Sequence, residues 1–138
     1  MRDYFLGIDL GTTACKAFLV NSECREISEG SAVYLVIQPG SNQQELDLDD
    51  VWRGMIKAVR QALKGIDKKS VTAIGFSSMM HGFMPVDKNH HPLCRMLTWA
   101  DGRAMAQAEG LKKKLNEKEI YQRTGCPITS LYYPARIL

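Results

Sequence analysis

Closely spaced cysteine pairs, long apolar runs and a strong excess of charge of one sign are all missing from this sequence. The four cysteines form no Cys-x-x-Cys pair and no Cys/His spacing typical of a metal site, which argues against a disulfide scaffold or a zinc site. No apolar stretch approaches the roughly 20 residues of a membrane span, and the first residues lack the apolar run of a signal peptide. Lys plus Arg number 18 and Asp plus Glu 15, so the net charge of +3 is too mild to indicate nucleic-acid binding. We therefore expect a cytoplasmic protein with reduced thiols and with neither a nucleic-acid nor a membrane partner.

The first half of the chain has the pattern of an α/β protein. Of the 138 residues, 45% are hydrophobic, which suffices for the core of one domain or of part of a larger one. Short apolar runs predict three antiparallel strands within residues 4–37, and the first two should form a tight hairpin. A helix should follow, with Asp47 as its N-cap and Gly65 as its C-terminal cap. Its predicted apolar stripe consists of Val51, Trp52, Met55, Ile56, Val59, Ala62 and Leu63.

The second half mixes short strands with helices. The pattern predicts a strand over residues 71–76, another over 83–86, helices over 102–115 and 117–123, and the start of one at 133–138. This order is typical of a mixed sheet that begins antiparallel and continues in parallel. The last residues, Ile137 and Leu138, are apolar and lack a helix cap, so we expect the chain to be part of a longer domain.

A tight turn between the first two predicted strands carries residues suited to bind a phosphate. Gly11 lets the backbone approach an anion closely, and consecutive backbone N–H groups of such a turn can hold a phosphate oxygen. Thr12 and Thr13 add hydroxyl donors, and Lys16 adds a positive charge. Asp9, at the end of a buried strand, is placed to hold Mg²⁺ directly or through a water. The alternative interpretation of these residues is a plain β-hairpin with a polar turn.

Two later loops carry candidate ligand-binding side chains. A loop with Met80, His81 and Gly82 follows the strand predicted over residues 71–76, and ligands of open α/β sheets bind beyond the carboxyl ends of strands. Further on, Trp99 could stack on the C–H face of a sugar, with directional polar contacts from the residues that follow, Asp101 and Arg103. The alternatives are a structural or exposed histidine, a core tryptophan, a helix N-cap at Asp101 and a surface Arg103.

Together these segments resemble the FGGY family of carbohydrate kinases, within the actin-like ATPase superfamily. The hairpin is similar to the Asp-x-Gly-Thr/Ser hairpin that contacts nucleotide phosphate and metal in that superfamily. One later segment is similar to both gluconate kinases and xylulose kinases, and two resemble gluconate kinases. In chain order these three segments are Ser77-Ser78-Met79-Met80-His81-Gly82, Thr98-Trp99-Ala100-Asp101 with Arg103, and Tyr121-Gln122-Arg123-Thr124-Gly125-Cys126-Pro127-Ile128.

The resemblance implies a ribonuclease H-like (actin-like ATPase) domain, with residues 1–138 as the first part of the kinase's N-terminal domain. It implies a carbohydrate kinase that uses ATP and Mg²⁺ to phosphorylate a sugar or sugar acid. The hairpin residues would face the γ-phosphate, with Asp9 on the metal side, and the two loops would bind the sugar. The general base would be an aspartate beyond Leu138, so no catalytic residue is assigned within this chain.

Two departures from the gluconate kinase pattern bear on the substrate. Thr129-Ser130-Leu131 stands where gluconate kinases tend to carry His-Pro-Met, and Gly82 is more typical of xylulose kinases. Because two of the three segments resemble gluconate kinases, the expected substrate is still gluconate first and xylulose second. A non-catalytic actin-like nucleotide-binding or sugar-sensing module is the alternative, as is a piece that only packs on a partner. The resemblance also allows a homodimer of the full-length protein.

Overall fold

The computed structural model describes residues 3–138, which divide into two compact units. The sheet unit takes in the chain up to residue 36 and residues 46–79, and the loop unit takes in residues 37–45 and 80–138. In chain order the strands and helices are β1 (Tyr4–Leu10), β2 (Ala14–Asn21), β3 (Glu26–Val33), β4 (Glu45–Leu46), α1 (Leu48–Ala62), β5 (Val71–Ser78), β6 (Met96–Leu97), α2 (Met105–Lys114), α3 (Glu117–Thr124) and α4 (Tyr133–Ile137), with a 3₁₀ turn at Lys68–Ser70 before β5.

A four-stranded mixed sheet organises the sheet unit. Its strands lie in the order β3-β2-β1-β5. The pairs β1–β2 and β2–β3 are antiparallel, and β1–β5 is parallel. This arrangement confirms the predicted hairpin and the predicted change from antiparallel to parallel pairing.

Burial alternates along β1 and so decides which side chains reach the open face of the sheet. Leu6 and Ile8 are buried, whereas Asp9 is exposed. Since successive side chains of a strand point to opposite faces, Asp9 lies on the face opposite to the core. The register places Asp9 beside Lys16 of β2 on one side and Ser77 of β5 on the other. A carboxylate, an ammonium and a hydroxyl group therefore come from three adjacent strands near the end of β1.

Helix α1 begins where the sequence predicts but ends before the predicted C-terminal cap. Asp47 is the N-cap as predicted, and its carboxylate accepts hydrogen bonds from the backbone N–H groups of Asp49 and Asp50. The predicted cap at Gly65 is wrong, because Leu63 is the C-cap and its N–H bonds back to carbonyls of the last turn. Gly65 instead takes φ +77° in the turn that follows, a conformation that glycine adopts without steric cost.

The packing face of α1 is made of small residues. Val51 and Ala62 of the predicted apolar stripe are buried together with Gly54 and Ala58, whereas Trp52 of the stripe is 61% exposed. The predicted stripe is therefore wrong for its largest member. The reason is a close backbone approach: a Cβ at Gly30 of β3 would lie 2.1 Å from the Ala58 carbonyl oxygen. Only small side chains fit between two backbones at this distance.

Strand β5 lies at the edge of the sheet and is open on both faces. Ile74 is 55% exposed and Phe76 is 65% exposed. Parallel strands are usually covered on both faces, so β5 presents apolar surface of a kind that longer α/β sheets bury.

The loop unit has less regular structure than the sequence predicts. Residues 83–86 form no strand; Phe83 makes a single bridge to Leu97, and Val86 makes one to Pro92. Pro85 has no N–H to donate to a ladder, which explains why the predicted strand does not form. The short strand β6 pairs with β4. Residue Glu45 of β4 belongs to the loop unit.

The helices of the loop unit enclose a small core. Helix α2 begins at Met105, three residues after the predicted start, whereas α3 and α4 lie where the sequence predicts them. Gly125 ends α3 with φ +71°, as expected for a C-terminal glycine cap. The core consists of Ala104, Ala108, Ile128 and Ala135, with Leu111 and Ile120 packed against it.

Two expectations from composition concern the whole described chain. All four cysteines are free, and Cys15 is fully buried in the sheet unit. Among residues 3–138, no helix has the length and apolar character required to span a bilayer.

Candidate functional site

The predicted phosphate turn is a tight three-residue connection between β1 and β2. The Gly11 N–H donates to the Ala14 carbonyl at 3.0 Å and closes the turn. A Cβ at Gly11 would lie 3.0 Å from the same oxygen, so any larger residue would crowd it. Thr12 and Thr13 form the rest of the turn, and Lys16 follows on β2 with an exposed side chain. The sheet unit thus brings together the five residues that the sequence assigns to phosphate.

The carbonyl groups of this turn are held by protein donors. The Tyr34 hydroxyl donates to the Gly11 carbonyl, and the Tyr34 N–H donates to the Thr13 carbonyl at 3.0 Å. The Met79 N–H donates to the Leu10 carbonyl at 2.8 Å. Because these oxygens are engaged with the protein, their negative ends are turned away from an anion that would bind at the turn. The turn is therefore suited to present donors rather than acceptors.

Tyr34 is the residue that fixes the turn, and sequence reasoning missed it. Its side chain is 8% exposed, and burial raises the pKa of its hydroxyl to about 12, with smaller contributions from Cys15 and Asp9. Burial, followed by the charge of Asp9, also raises the pKa of the Cys15 thiol. Gly54 on α1 makes room for the ring, since a Cβ there would lie 2.8 Å from Tyr34 Cδ1. No pattern in the sequence links these positions, because they meet only after the helix packs.

The raised pKa of Tyr34 predicts a pH dependence of stability. The unfolded tyrosine loses its proton near pH 10 and the folded one near pH 12. The folded chain therefore holds more protons in this window, and the free energy of unfolding should fall as the pH rises through it. Tyr34→Phe should lack this part of the fall, and at neutral pH it should be less stable by about 1 kcal/mol because the hydrogen bond to Gly11 is lost.

Urea unfolding of the 138-residue chain at a series of pH values between about 9 and 12 measures both effects. Tyr121→Phe, on the exposed face of α3, is the control and should unfold like the wild type. Parallel pH profiles for the wild type and Tyr34→Phe would contradict the burial of this hydroxyl.

The donor set around Asp9 fits a metal ion that arrives with a nucleotide. Among residues 3–138, no three His, Cys, Asp or Glu side chains cluster closely enough to form a metal site of their own. Mg²⁺ commonly keeps several waters and binds through one or two carboxylates together with substrate phosphates. The exposed carboxylate of Asp9, next to Lys16 in the sheet register, meets that description.

The first predicted sugar loop has an unusual backbone at its histidine. His81 takes φ +60°, a left-handed conformation that is uncommon for residues with a Cβ. The edge of its ring meets the ring of Tyr132, with centroids 5.1 Å apart and planes at 87°. Met80 is 73% exposed beside it, and a Cβ at Gly82 would lie 3.2 Å from Met96 Sδ. Surrounding residues thus hold the histidine in place while Met80 reaches solvent.

The second predicted sugar loop is anchored at Asp101. The Asp101 side chain is buried, and its carboxylate accepts hydrogen bonds from the Gln44 N–H at 2.9 Å and from the Arg103 N–H at 3.1 Å. Burial alone would raise the pKa of Asp101, but the hydrogen bonds from Arg103 and Gln44 outweigh it and lower the pKa. The alternative of a helix N-cap at Asp101 is wrong, because Ala104 is the N-cap of α2.

Arg103 is held between two carboxylates. Its guanidinium donates to Asp101 through Nε and Nη2 at 2.9–3.1 Å, and Nη2 lies 2.8 Å from Glu45 Oε1. The hydrogen bond to Asp101 is the main cause of a raised pKa at Arg103. The alternative of a plain surface arginine is therefore wrong. Gln44 and Glu45 were missed in the sequence, because they lie more than 50 positions away from Asp101 and Arg103 along the chain.

Trp99 lies next to this anchored network. Thr98 is fully buried, and its N–H donates to the Gln44 carbonyl at 2.9 Å. Trp99 itself is 52% exposed, so the alternative of a core tryptophan is wrong. The loop unit thus combines a fixed backbone at residues 98–103 with a large aromatic face that solvent reaches.

Comparison with known proteins gives these residue sets a family context. The family model for the "FGGY family of carbohydrate kinases, N-terminal domain" matches residues 4–138. Gluconokinase from Bacillus subtilis (strain 168) is 35% identical over 128 residues, which is 93% of this chain and 25% of that protein. Xylulose kinase from Staphylococcus xylosus is 29% identical over 121 residues, 88% of this chain and 25% of that protein.

Solved structures are similar over the same region. The crystal structure of gluconate kinase from Lactobacillus acidophilus matches with a TM-score of 0.91 and 27% identity, over 99% of this chain and 28% of that one. Ligand-bound xylulose kinase from the same organism matches with a TM-score of 0.90 and 27% identity, over 98% and 27% of the two chains. This chain spans about a quarter of the length of the relatives that it matches.

Proposed function

Because the chain belongs to the FGGY family of carbohydrate kinases, we propose that its full-length enzyme phosphorylates a sugar or sugar acid with ATP. The gluconate kinase and xylulose kinase structures that the chain matches have the actin-like ATPase fold that the sequence predicts. The observation that carries this proposal is the turn after β1. There Asp9 reaches the open face of the sheet, and the backbone carbonyls of the turn are held by Tyr34. Gluconate is the first choice of substrate and xylulose the second, in line with the gluconokinase and the xylulose kinase to which the chain is similar.

The turn after β1 binds the terminal phosphates of ATP in this proposal. Thr12 and Thr13 donate hydrogen bonds from their backbone and hydroxyl groups, and Lys16 offsets the negative charge. Gly11 keeps the backbone close to the anion. Asp9 would hold Mg²⁺ directly or through a water, and the ion would supply positive charge to neutralise the phosphoryl group.

The two loops of the loop unit bind the sugar in this proposal. Trp99 stacks on its C–H face, and His81 donates or accepts a hydrogen bond with a hydroxyl group. Met80 and Gly82 shape the surface beside the histidine. Asp101 and Arg103 complete the set, and their mutual hydrogen bonds support a role in keeping the loop in place as well as in contacting substrate.

The chain covers only part of the kinase in this proposal. We propose that residues 1–138 are the first part of the kinase's N-terminal domain, since the relatives are about four times longer. The open faces of β5, with Ile74 and Phe76 exposed, support this reading, because further elements of a longer sheet would cover them. The general base and most of the adenine site then belong to residues outside this chain. Domain closure around both substrates would exclude water and suppress ATP hydrolysis.

The proposal is tested by a coupled assay of ADP release with the full-length enzyme against gluconate, xylulose, glycerol and other pentoses and hexoses. We expect sugar-dependent turnover with gluconate or xylulose as the best acceptor, at a kcat within the usual range of roughly 1–100 s⁻¹ for kinases. The 138-residue chain alone should release no ADP in response to sugar, because it lacks the base.

Two outcomes would contradict the proposal. Sugar-dependent ADP release by the isolated chain would show that the base lies within it. A full-length protein that a sugar stabilises against heat, but that turns over none of the sugars tested, would indicate a sugar-sensing module instead.

A further inference from the structure

A single arginine near the end of the chain ties three loop segments together. Arg136, on α4, donates from Nε to the Ser130 carbonyl at 3.0 Å, from Nη1 to the His81 carbonyl at 2.6 Å and from Nη2 to the Thr98 carbonyl at 2.8 Å. All four residues belong to the loop unit. One planar group therefore fixes backbone positions that are 55, 38 and six residues away from it in the sequence.

The partners of Arg136 are unusual for a guanidinium. Within the described range 3–138, no carboxylate lies within 4.0 Å of it, whereas Arg103 in the same unit pairs with two. Its side chain is partly buried, and each of its three nitrogens donates to a neutral backbone oxygen. Arginine suits this task because its fork presents donors in fixed directions, which the single ammonium of a lysine does not.

Two of the three carbonyls belong to the predicted sugar loops. The His81 carbonyl is held at the residue whose φ is +60°, a conformation that its surroundings must maintain. The Thr98 carbonyl directly precedes Trp99. Tyr132, one residue before α4, also meets the His81 ring edge on. The segment around α4 thus holds the backbone at the histidine and directly before the tryptophan.

We propose that Arg136 is a positioning residue for sugar binding, which acts on His81 and Trp99 through their backbones. The inference rests on the proposed function. It assigns Arg136 no contact with the sugar, because all of its described bonds go to the protein. Its removal should loosen both loops and weaken sugar affinity, while the nucleotide turn after β1 keeps its own supports.

The test compares Arg136→Met and Arg136→Lys in the full-length enzyme with its best sugar. Arg136→Met should raise the KM for sugar about tenfold or more, with kcat and the KM for ATP changed less than about threefold. Arg136→Lys keeps the charge and one or two donors, so it should restore part of the sugar affinity. Arg123→Met is the control, since Arg123 is exposed and only approaches Glu119 at 3.8 Å; its kinetics should match the wild type.

A double-mutant cycle separates positioning from general stabilisation. If Arg136 acts through His81 as well as Trp99, Arg136→Met should raise the KM of a His81→Ala enzyme less than it raises that of the wild type, because one of the two side chains that it positions is already gone. Full additivity, or equal losses in kcat and in both KM values together with a lowered melting temperature, would overturn the proposal.

The isolated chain offers a readout that needs no turnover. Edge contact with Tyr132 should shift the ring protons of His81 in the NMR spectrum of the 138-residue chain, and Arg136→Met should abolish this shift without changing the signals of His90 and His91. An unchanged His81 signal would refute the positioning role. A full-length wild type without sugar turnover would refute the proposed function alone, so the two failures are distinct.

Discussion

Replacing Asp9 by asparagine should lower the kcat of the full-length enzyme by about a hundredfold to a thousandfold, the range seen when one group that stabilises transition-state charge is removed. Asparagine keeps the size of the side chain and its place on the open face of β1, but it removes the negative charge. The KM for sugar should change little, because sugar binding is assigned to loops in the other unit. The measurement is steady-state kinetics with varied sugar, ATP and Mg²⁺.

The physical reason for this large effect is the placement of Asp9. Its carboxylate is exposed at the end of β1, directly before the turn and beside Lys16 in the sheet register. Asp9 would hold a metal ion there, and the ion would supply positive charge for the phosphates of ATP. Without the carboxylate the ion loses its anchor to the sheet, and charge that develops on the phosphoryl group is less well neutralised. The loss should persist at raised Mg²⁺, since the position of the ion and not only its occupancy is affected.

Glu29→Gln is the matched control for Asp9. Glu29 is also an exposed carboxylate of the sheet unit, on β3, and the same loss of one negative charge should leave kcat within about twofold. Normal turnover of the Asp9→Asn enzyme would contradict the assignment of Asp9 to the metal side. An equal loss in both variants would point to net charge rather than to a metal ligand.

The sequence predicts the hairpin turn after β1 well because the turn is encoded locally. An apolar run that stops at Gly11 and resumes within a few residues leaves few options besides a hairpin. The period-two alternation in β1 then decides that Asp9 and Ile8 point to opposite faces. These inferences need only neighbouring residues.

The supports of the site could not be predicted, because they depend on distant contacts. The Tyr34 hydroxyl reaches Gly11 only because the residue after β3 lies beside the turn after β1. Gln44 meets Asp101 across 57 positions of the sequence. Arg136 lies in a segment that reads as one turn of an apolar helix, and nothing local indicates that it holds His81 and Thr98. Sequence patterns identified side chains that reach solvent, but not the side chains that hold them in place.

The packing of α1 shows a third kind of difference. The predicted apolar stripe is buried at Val51 and Ala62, but Gly54 and Ala58, which lie outside that stripe, complete the buried face. The helix lies so close to β3 that the Ser28 hydroxyl donates to the Ala62 carbonyl and the Ser31 N–H donates to Gln61 Oε1. Hydrophobic periodicity indicates which side of a helix is apolar, but it does not indicate how near the opposing backbone comes.

Gly30→Ala should therefore destabilise the 138-residue chain strongly. A Cβ at this position would lie 2.1 Å from the Ala58 carbonyl oxygen, 2.7 Å from Gln61 Cβ and 2.8 Å from the Ala62 nitrogen. Two of these atoms are backbone, so relief requires α1 to move away from β3. We expect a loss of about 3 kcal/mol or more in the free energy of unfolding, at the upper end for overpacked sites. Urea unfolding of both proteins measures this loss, provided that the free energy of unfolding falls equally steeply with urea concentration in the two.

Gly75→Ala makes the same change on another strand of the same sheet and isolates the cause. No atom lies within 4 Å of a Cβ at Gly75, so the substitution should alter stability by less than about 0.5 kcal/mol, as at most open positions. Neither glycine has a positive φ, so backbone conformation does not distinguish the two sites. Equal stability of the two variants would contradict the close approach of the α1 backbone to Gly30 of β3. Because α1 also carries Gly54, which makes room for Tyr34, a displaced helix in Gly30→Ala should disturb the turn at Gly11 as well and weaken nucleotide binding in the full-length enzyme.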